Sequence, residues 1–190
     1  IMKKLIYCAL ALAAGLFATS CQQENLEPVA QENTVTYTVE LPDVQTKAIG
    51  DAENVDQLIY EVWVTETADE RDLKGKDKNG KDKATRLYQS TASMVGGRTN
   101  ITLNLVQDQE YTILFWAQKK DAGIYTTNDL TSVSYAKPLG GGEEGYKSND
   151  ETHAAFYGID FVSDSDPKSK KVTLKRPFPQ LNIATLNTPN

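Results

Sequence analysis

The chain has 190 residues, with 26 acidic against 20 basic side chains and a formal charge of −6. A surface this acidic argues against nucleic acid as a partner and against electrostatic adhesion to anionic lipid. Its two cysteines, Cys8 and Cys21, both lie near the amino terminus and leave no disulfide for the rest of the chain.

Lys3 and Lys4 form a short positive region, Leu5 to Phe17 is apolar, and Ala18-Thr19-Ser20 leads to Cys21. Charge, apolar core and small-residue site, in that order, make a secretory signal over residues 1–20. The apolar stretch is shorter than the roughly 20 residues a permanent membrane span requires. Translation is expected to start at Met2, with Ile1 an artefact of the gene assignment. Cys21 behind its small residues resembles a lipobox, which implies cleavage between Ser20 and Cys21, a diacylglycerol on the thiol and acylation of the freed amine. The plainer alternative is an ordinary signal peptide with a chance cysteine. Two or more acyl chains anchor stably, because each buried CH₂ contributes about 0.8 kcal/mol. Removing 20 of the 190 residues leaves 170, and loss of the two lysines takes the charge from −6 to −8. That length suits one domain with a real core, or two small ones.

Residues 21–33 read as a flexible tether, since Gln22 to Asn33 is polar, acidic and interrupted by Pro28. The run Cys21-Gln22-Gln23-Glu24 resembles the signals that send lipoproteins of the Bacteroidetes to the outer face of the outer membrane. At Thr34 the pattern changes to period two. Val35, Tyr37, Val39 and Leu41 share one face, with Thr34, Thr36, Thr38 and Glu40 on the other, which predicts a half-buried strand ended by Pro42-Asp43. QLIYEVWV (57–64) puts Leu58, Tyr60, Val62 and Val64 together, with Ile59 and Trp63 opposite. RLYQSTASM (86–94) is a weaker strand, while TNITLNLV (99–106) turns Ile101, Leu103 and Leu105 inward. EYTILFWA (110–117) is apolar on both faces and belongs mid-sheet. The turn Gln107-Asp108-Gln109 is expected to join these last two as a hairpin. Strands over 154–162, 170–175 and 180–185 complete the set. A short helix is expected at Leu130–Val133, capped by Asn128 or Thr127. Residues 69–85 and 138–152 are expected to be exposed, mobile loops. Seven or eight short strands with polar loops predict an all-β fold, an antiparallel β-sandwich.

Nothing in the chain has the arrangement of an enzyme site. His153 has no Cys or Ser partner, and a nucleophile needs an oriented base. Asp77-Lys78-Asn79-Gly80-Lys81-Asp82 alternates oxygen ligands around a glycine, but Lys76, Lys78 and Lys81 crowd it and a closing Glu is missing. It reads as a solvated turn rather than a calcium loop. Ser163-Asp164-Ser165-Asp166 reads as a turn before Pro167, with cation binding as the alternative. Gly140-Gly141-Gly142 lacks the Lys and Ser/Thr of a phosphate loop. Glu143 with Glu144, or Asp160 with Glu61, is the only glycosidase pair to weigh, and strand spacing cannot be read from sequence. No cofactor and no metal are expected. Trp63 and Trp116 have two readings, packing inside the fold or stacking on sugar rings.

Cys21, the polar tether, the strand ending at Leu41, Thr46-Lys47-Ala48, LIYEVWV and the later VTLKRPFPQLNI (172–183), with its basic Lys175-Arg176, together resemble a Bacteroidetes fimbrillin, the type V pilins. The resemblance covers most of the chain after the signal. It implies a transthyretin-like β-sandwich over 34–187 that serves as a pilus building block. It also implies that lipid carries the precursor to the cell surface, where a trypsin-like protease removes the lipid and the first strand. A strand from the next subunit then fills the groove, by strand addition. Lys47 is the first basic residue after Cys21, so cutting between Lys47 and Ala48 would take Val35, Tyr37, Val39 and Leu41 out of the core. The competing reading is an uncut loop lysine, since the family's processing residue is often Arg and the first Arg here is Arg71. Fimbrillins usually carry a second domain with the donor strand, which this chain lacks, so a fragment or a one-domain relative is expected. The expected function is therefore a lipid-anchored surface protein acting as pilus subunit, anchor or adhesive accessory. The partners would be other pilins, the outer membrane and a host or bacterial surface ligand. The alternative is a glycan-binding surface lipoprotein, which exposure of Trp63 or Trp116 would favour.

Overall fold

The computed structural model describes residues 32–42, 52–136 and 153–177. These form nine strands: β1 (Glu32–Glu40), β2 (Gln57–Thr65), β3 (Ala84–Ser93), β4 (Arg98–Val106), β5 (Glu110–Gln118), β6 (Tyr125–Thr126), β7 (Ser134–Tyr135), β8 (Ala155–Val162) and β9 (Ser169–Thr173). A three-stranded sheet, β4-β1-β9, faces a four-stranded sheet, β3-β2-β5-β8, and β6 and β7 form a small ribbon. The fold is an all-β sandwich. All ladders between these strands are antiparallel except the β1–β9 ladder, which is parallel.

Period-two alternation explains the core. β1 contributes Val35, Tyr37 and Val39, β4 contributes Ile101, Leu103 and Leu105, and Val172 and Leu174 come from β9 and the residue after it. They meet Leu58 and Val62 of β2, Tyr111, Ile113, Phe115 and Ala117 of β5, and Phe156 and Val162 of β8. β5 lies between β2 and β8 and is buried on both faces, as its two-sided apolar character predicts.

The expected hairpin of 99–106 and 110–117 does not form. β4 pairs with β1, while β5 pairs with β2 and β8 in the opposite sheet. Residues 107–109 instead cross between the sheets, with Asp108 in the left-handed region at φ 58°. The Tyr111 hydroxyl clasps this corner, accepting from the Val106 N–H at 2.9 Å and donating to the Val106 carbonyl at 3.2 Å, as tyrosine corners do. The physical reason is that the inward side chains of β4 and β5 face each other across the core, which lateral pairing would prevent. A second tight connection, Val95-Gly96-Gly97-Arg98, leads from β3 to β4 with φ of 58° and 73° at its glycines. Positive φ at both central positions is what a two-residue turn of this hand requires.

The strand limits also differ from expectation. β1 begins at Glu32, inside the segment read as tether, and Asn33 is buried. Leu41 falls just beyond β1, half-buried, with its N–H donating to the Gly97 carbonyl at 2.8 Å. The short helix is a 3-10 turn, Leu130–Ser132, capped by Asp129 rather than Asn128 or Thr127. Residues 69–85 are not a loose loop. Leu73 is buried against Trp63 and Ala84, and the Thr112 hydroxyl donates to the Glu70 carbonyl at 2.8 Å. The strand expected at 180–185 and the loop at 138–152 lie outside the described residues.

Gly158 sits on the inner face of β8, where an added Cβ would stand 2.8 Å from Leu174 Cδ2 and 3.2 Å from Val172 Cγ1. β9 and the residue after it can approach β8 only because no side chain is there. Gly158→Ala is expected to destabilise the fold by about 1–3 kcal/mol through overpacking, seen as an earlier urea midpoint at unchanged slope.

Candidate functional site: the first strand and its groove

β1 is the middle strand of its sheet, in register with β4 from Glu32↔Val106 to Glu40↔Arg98 and with β9 from Thr36↔Ser169 to Glu40↔Thr173. Along its outer face the register is marked by polar pairs. Thr34 meets Asn104, Thr36 meets Thr102, Thr38 donates to Asn100 at 2.9 Å, and Glu40 accepts from Arg98 at 2.8 Å. Glu40 also pairs with Lys171 at 2.6 Å. The Lys171 ammonium beside it is the main reason its carboxyl is held below the usual carboxylate range.

On the inner face Val35, Tyr37 and Val39 are almost wholly shielded from water. The Tyr37 ring leans on Phe115 with centroids 5.4 Å apart. Its hydroxyl donates to Asp160 Oδ2 at 2.8 Å. Lys170 Nζ reaches the same carboxylate oxygen at 2.8 Å and Asp166 at 3.2 Å, and donates to the Phe161 carbonyl. Beneath the middle of β1 there is therefore a polar cluster of Tyr37, Asp160 and Lys170 within an otherwise apolar floor. Burial, and then the Asp160 charge, push the Tyr37 phenol above its ordinary range.

Val35, Tyr37, Val39 and Leu41 thus do lie together, the first three in β1 and the fourth at its end. Ser20, Cys21, Lys47 and Ala48 lie outside the described residues. The sequence reading takes Asp160 only as a possible acid partner of Glu61 and misses its role under β1. A lone Asp at an inward position of an apolar strand was the available signal.

The second candidate surface is the outer face of the four-stranded sheet. Trp63 and Trp116 are both on it and both buried, at 3% and 5% exposure. Trp63 lies under Leu73 with Lys74 Nζ 4.9 Å from its ring centroid, and Trp116 packs edge-on against Tyr125 at 5.1 Å. Neither offers a flat platform to a sugar ring, which removes the feature the glycan-binding alternative needed. Between the two covering segments lies an open cleft of about 440 Å³, lined by Arg71, Leu114, Leu130, Tyr157, Ile159 and Pro177 among others.

Glu61 and Asp160 do not form an acid pair. Glu61 points to the outer face, accepting from Trp63 Nε1 at 2.9 Å, Arg86 at 2.7 Å, Gln89 at 3.0 Å and the Leu130 N–H at 3.1 Å. Asp160 points to the inner face. Asp77 accepts from the backbone N–H groups of Asn79 and Lys81, each at 2.8 Å, and forms a turn closed at Gly80. Ser163–Asp166 is likewise a turn, with the Asp166 N–H donating to the Ser163 carbonyl at 3.1 Å. Among the described residues no group of three or more His, Cys, Asp or Glu side chains could hold a metal ion.

The molecule is thus an all-β sandwich whose first strand is shielded on its inner face and paired on both edges. The chain belongs to a family of unknown function, DUF6562, whose model matches residues 26–189. No curated protein matches it. Among solved structures it is similar to a fimbrial assembly protein from Parabacteroides distasonis ATCC 8503, with 11% identity and a TM-score of 0.34. That match covers 77% of this chain and 52% of the other, so the chain spans about half the length of that protein.

Proposed function

We propose that this chain is a surface lipoprotein of a fimbrial system, a non-catalytic subunit, anchor or adhesive accessory. Lipid on Cys21 delivers it to the outer membrane. Cleavage between Lys47 and Ala48 then frees it together with β1. The observation that supports this most directly is the place of β1. It is the strand nearest the signal segment, it is the middle strand of its sheet, and it buries Val35, Tyr37 and Val39. Its departure would uncover apolar area worth several kcal/mol, at about 25 cal/mol per Å². It would also leave β4 and β9 with unpaired edges, so the groove would favour a replacement strand.

Mass spectrometry of the mature amino terminus, on protein taken from cells, tests the reading. A start at Ala48 is expected for assembled subunits. Diacylated Cys21 on every recovered molecule would sink the processing step and leave a permanently anchored lipoprotein.

A further inference from the structure

The inner face of β1 carries more information than its alternation. Period-two alternation limits an occupant of the groove to registers that differ by an even number of residues, because only a one-residue slip exchanges its two faces. A two-residue slip keeps every apolar side chain inward. What distinguishes the registers is the floor of the groove. Val35 and Val39 meet the apolar side chains of the core. The Tyr37 position between them ends at a carboxylate, Asp160, held in place by Lys170.

We propose that this slot is the key of the groove, and that its replacement occupant is a partner strand of the form apolar-x-Tyr-x-apolar, with the phenol at the Tyr37 position. The inference rests on the strand-replacement reading above and adds to it the chemistry of the partner. A phenol fills the space against Phe115 and donates to Asp160 Oδ2. A phenylalanine fills the same space but leaves a partly buried charged acceptor short of one donor, and hydrogen bonds to charged groups are among the stronger ones. A two-residue slip puts a β-branched side chain over Asp160 and a phenol among apolar side chains at a valine position. Both errors disfavour the slipped register. The apolar carboxyl-terminal segment of this chain, Gln180-Leu181-Asn182-Ile183-Ala184-Thr185, has no tyrosine between its apolar residues. This segment is therefore not the expected donor.

The test uses the full chain with a specific protease site placed within residues 43–51, cut so that β1 stays bound without a covalent link. Fluorescent peptides are then added, and their entry is followed by anisotropy and native mass spectrometry. One peptide has the sequence of residues 32–41, a second carries Tyr37→Phe, and a third has the sequence of residues 179–188. The first is expected to replace β1 and to bind about tenfold tighter than the second, as loss of one hydrogen bond to a charged group implies. The third is expected to be no better than the second. Equal affinity of the tyrosine and phenylalanine peptides would overturn the key while leaving strand replacement intact. Tight binding of the third peptide would overturn the choice of donor. Failure of every peptide to enter, with β1 retained, would overturn the replacement reading and the key with it.

Discussion

Tyr37→Ala is expected to cost about 3–5 kcal/mol of folding stability, the range for removing a large buried aromatic side chain. The ring is fully buried between the two sheets and packs at a tilt against Phe115, so its loss leaves a cavity in the middle of the core. Tyr37→Phe isolates the hydroxyl. Asp160 keeps Lys170 as a partner and is partly solvated, so the cost should fall near the low end for a charged hydrogen bond, about 1.5 kcal/mol. Urea unfolding of the three proteins measures both. The pH dependence has a definite sign. Burial and Asp160 raise the folded phenol's pKa, so its contribution is complete below the unfolded value of about 10 and declines as pH rises beyond it. The gap between wild type and Tyr37→Phe should therefore narrow above pH 10. A gap that widens there would contradict this account.

The second large effect is expected at Glu61. This carboxylate is completely buried and gathers four donors from three places: Trp63 on its own strand, Arg86 and Gln89 on β3, and the Leu130 N–H of the 3-10 turn. Arg86 and Gln89 also donate to the carbonyls of Asn128 and Thr127, at 2.8 and 2.7 Å. Glu61 thus fastens the segment around 127–130 to the outer face of the sheet. Its removal leaves the Trp63 indole N–H and the Leu130 N–H without their partner. Removing one member of a buried pair costs about 3–5 kcal/mol. Arg86 is 39% exposed and can return to water, which places Glu61→Ala near the lower end of that range. Glu61→Gln should fall between, because an amide can accept from Arg86 but turns its own NH₂ toward another donor. Calorimetry orders the three, and Trp63 emission should shift to the red in Glu61→Ala as water reaches the indole. Unchanged emission would mean that the segment stays docked without its carboxylate.

These two residues show what could be read locally and what could not. That Tyr37 faces inward between Val35 and Val39 follows from period-two alternation alone, because successive strand side chains point to opposite faces. The same alternation places Leu58, Val62, Ile101 and Leu103 in the core, and the two-sided apolar character of β5 places it in the middle of its sheet. Glu61 is visible as a charge in an apolar strand, yet three of its four partners lie 25 to 69 residues away along the chain. Trp63 and Trp116 were legible as apolar strand residues. Whether they lay under Leu73 and Tyr125 or stood open to a sugar depended on where two loops fold back. The loop at 69–85 carries abundant charge and looked free, but Leu73 and the Glu70 carbonyl attach it to the sheet.

The sequence by itself thus determined the seven strands of the two facing sheets, their inward faces and a first strand with a buried aromatic at its centre, but not the short β6–β7 ribbon. These are properties of neighbouring residues and of a backbone with a fixed side-chain period. Tertiary structure alone decided which strands pair. Residues 107–109 could have closed a hairpin or crossed the sandwich, and the choice went to the crossing because it lets Ile101, Leu103 and Leu105 share one core with Ile113 and Phe115. It also decided that β1 is a middle strand, parallel to β9, and that Asp160 and Lys170 meet beneath Tyr37. Long-range pairing depends on contacts between segments more than a hundred residues apart, such as Tyr37 and Asp160, and no local pattern records them.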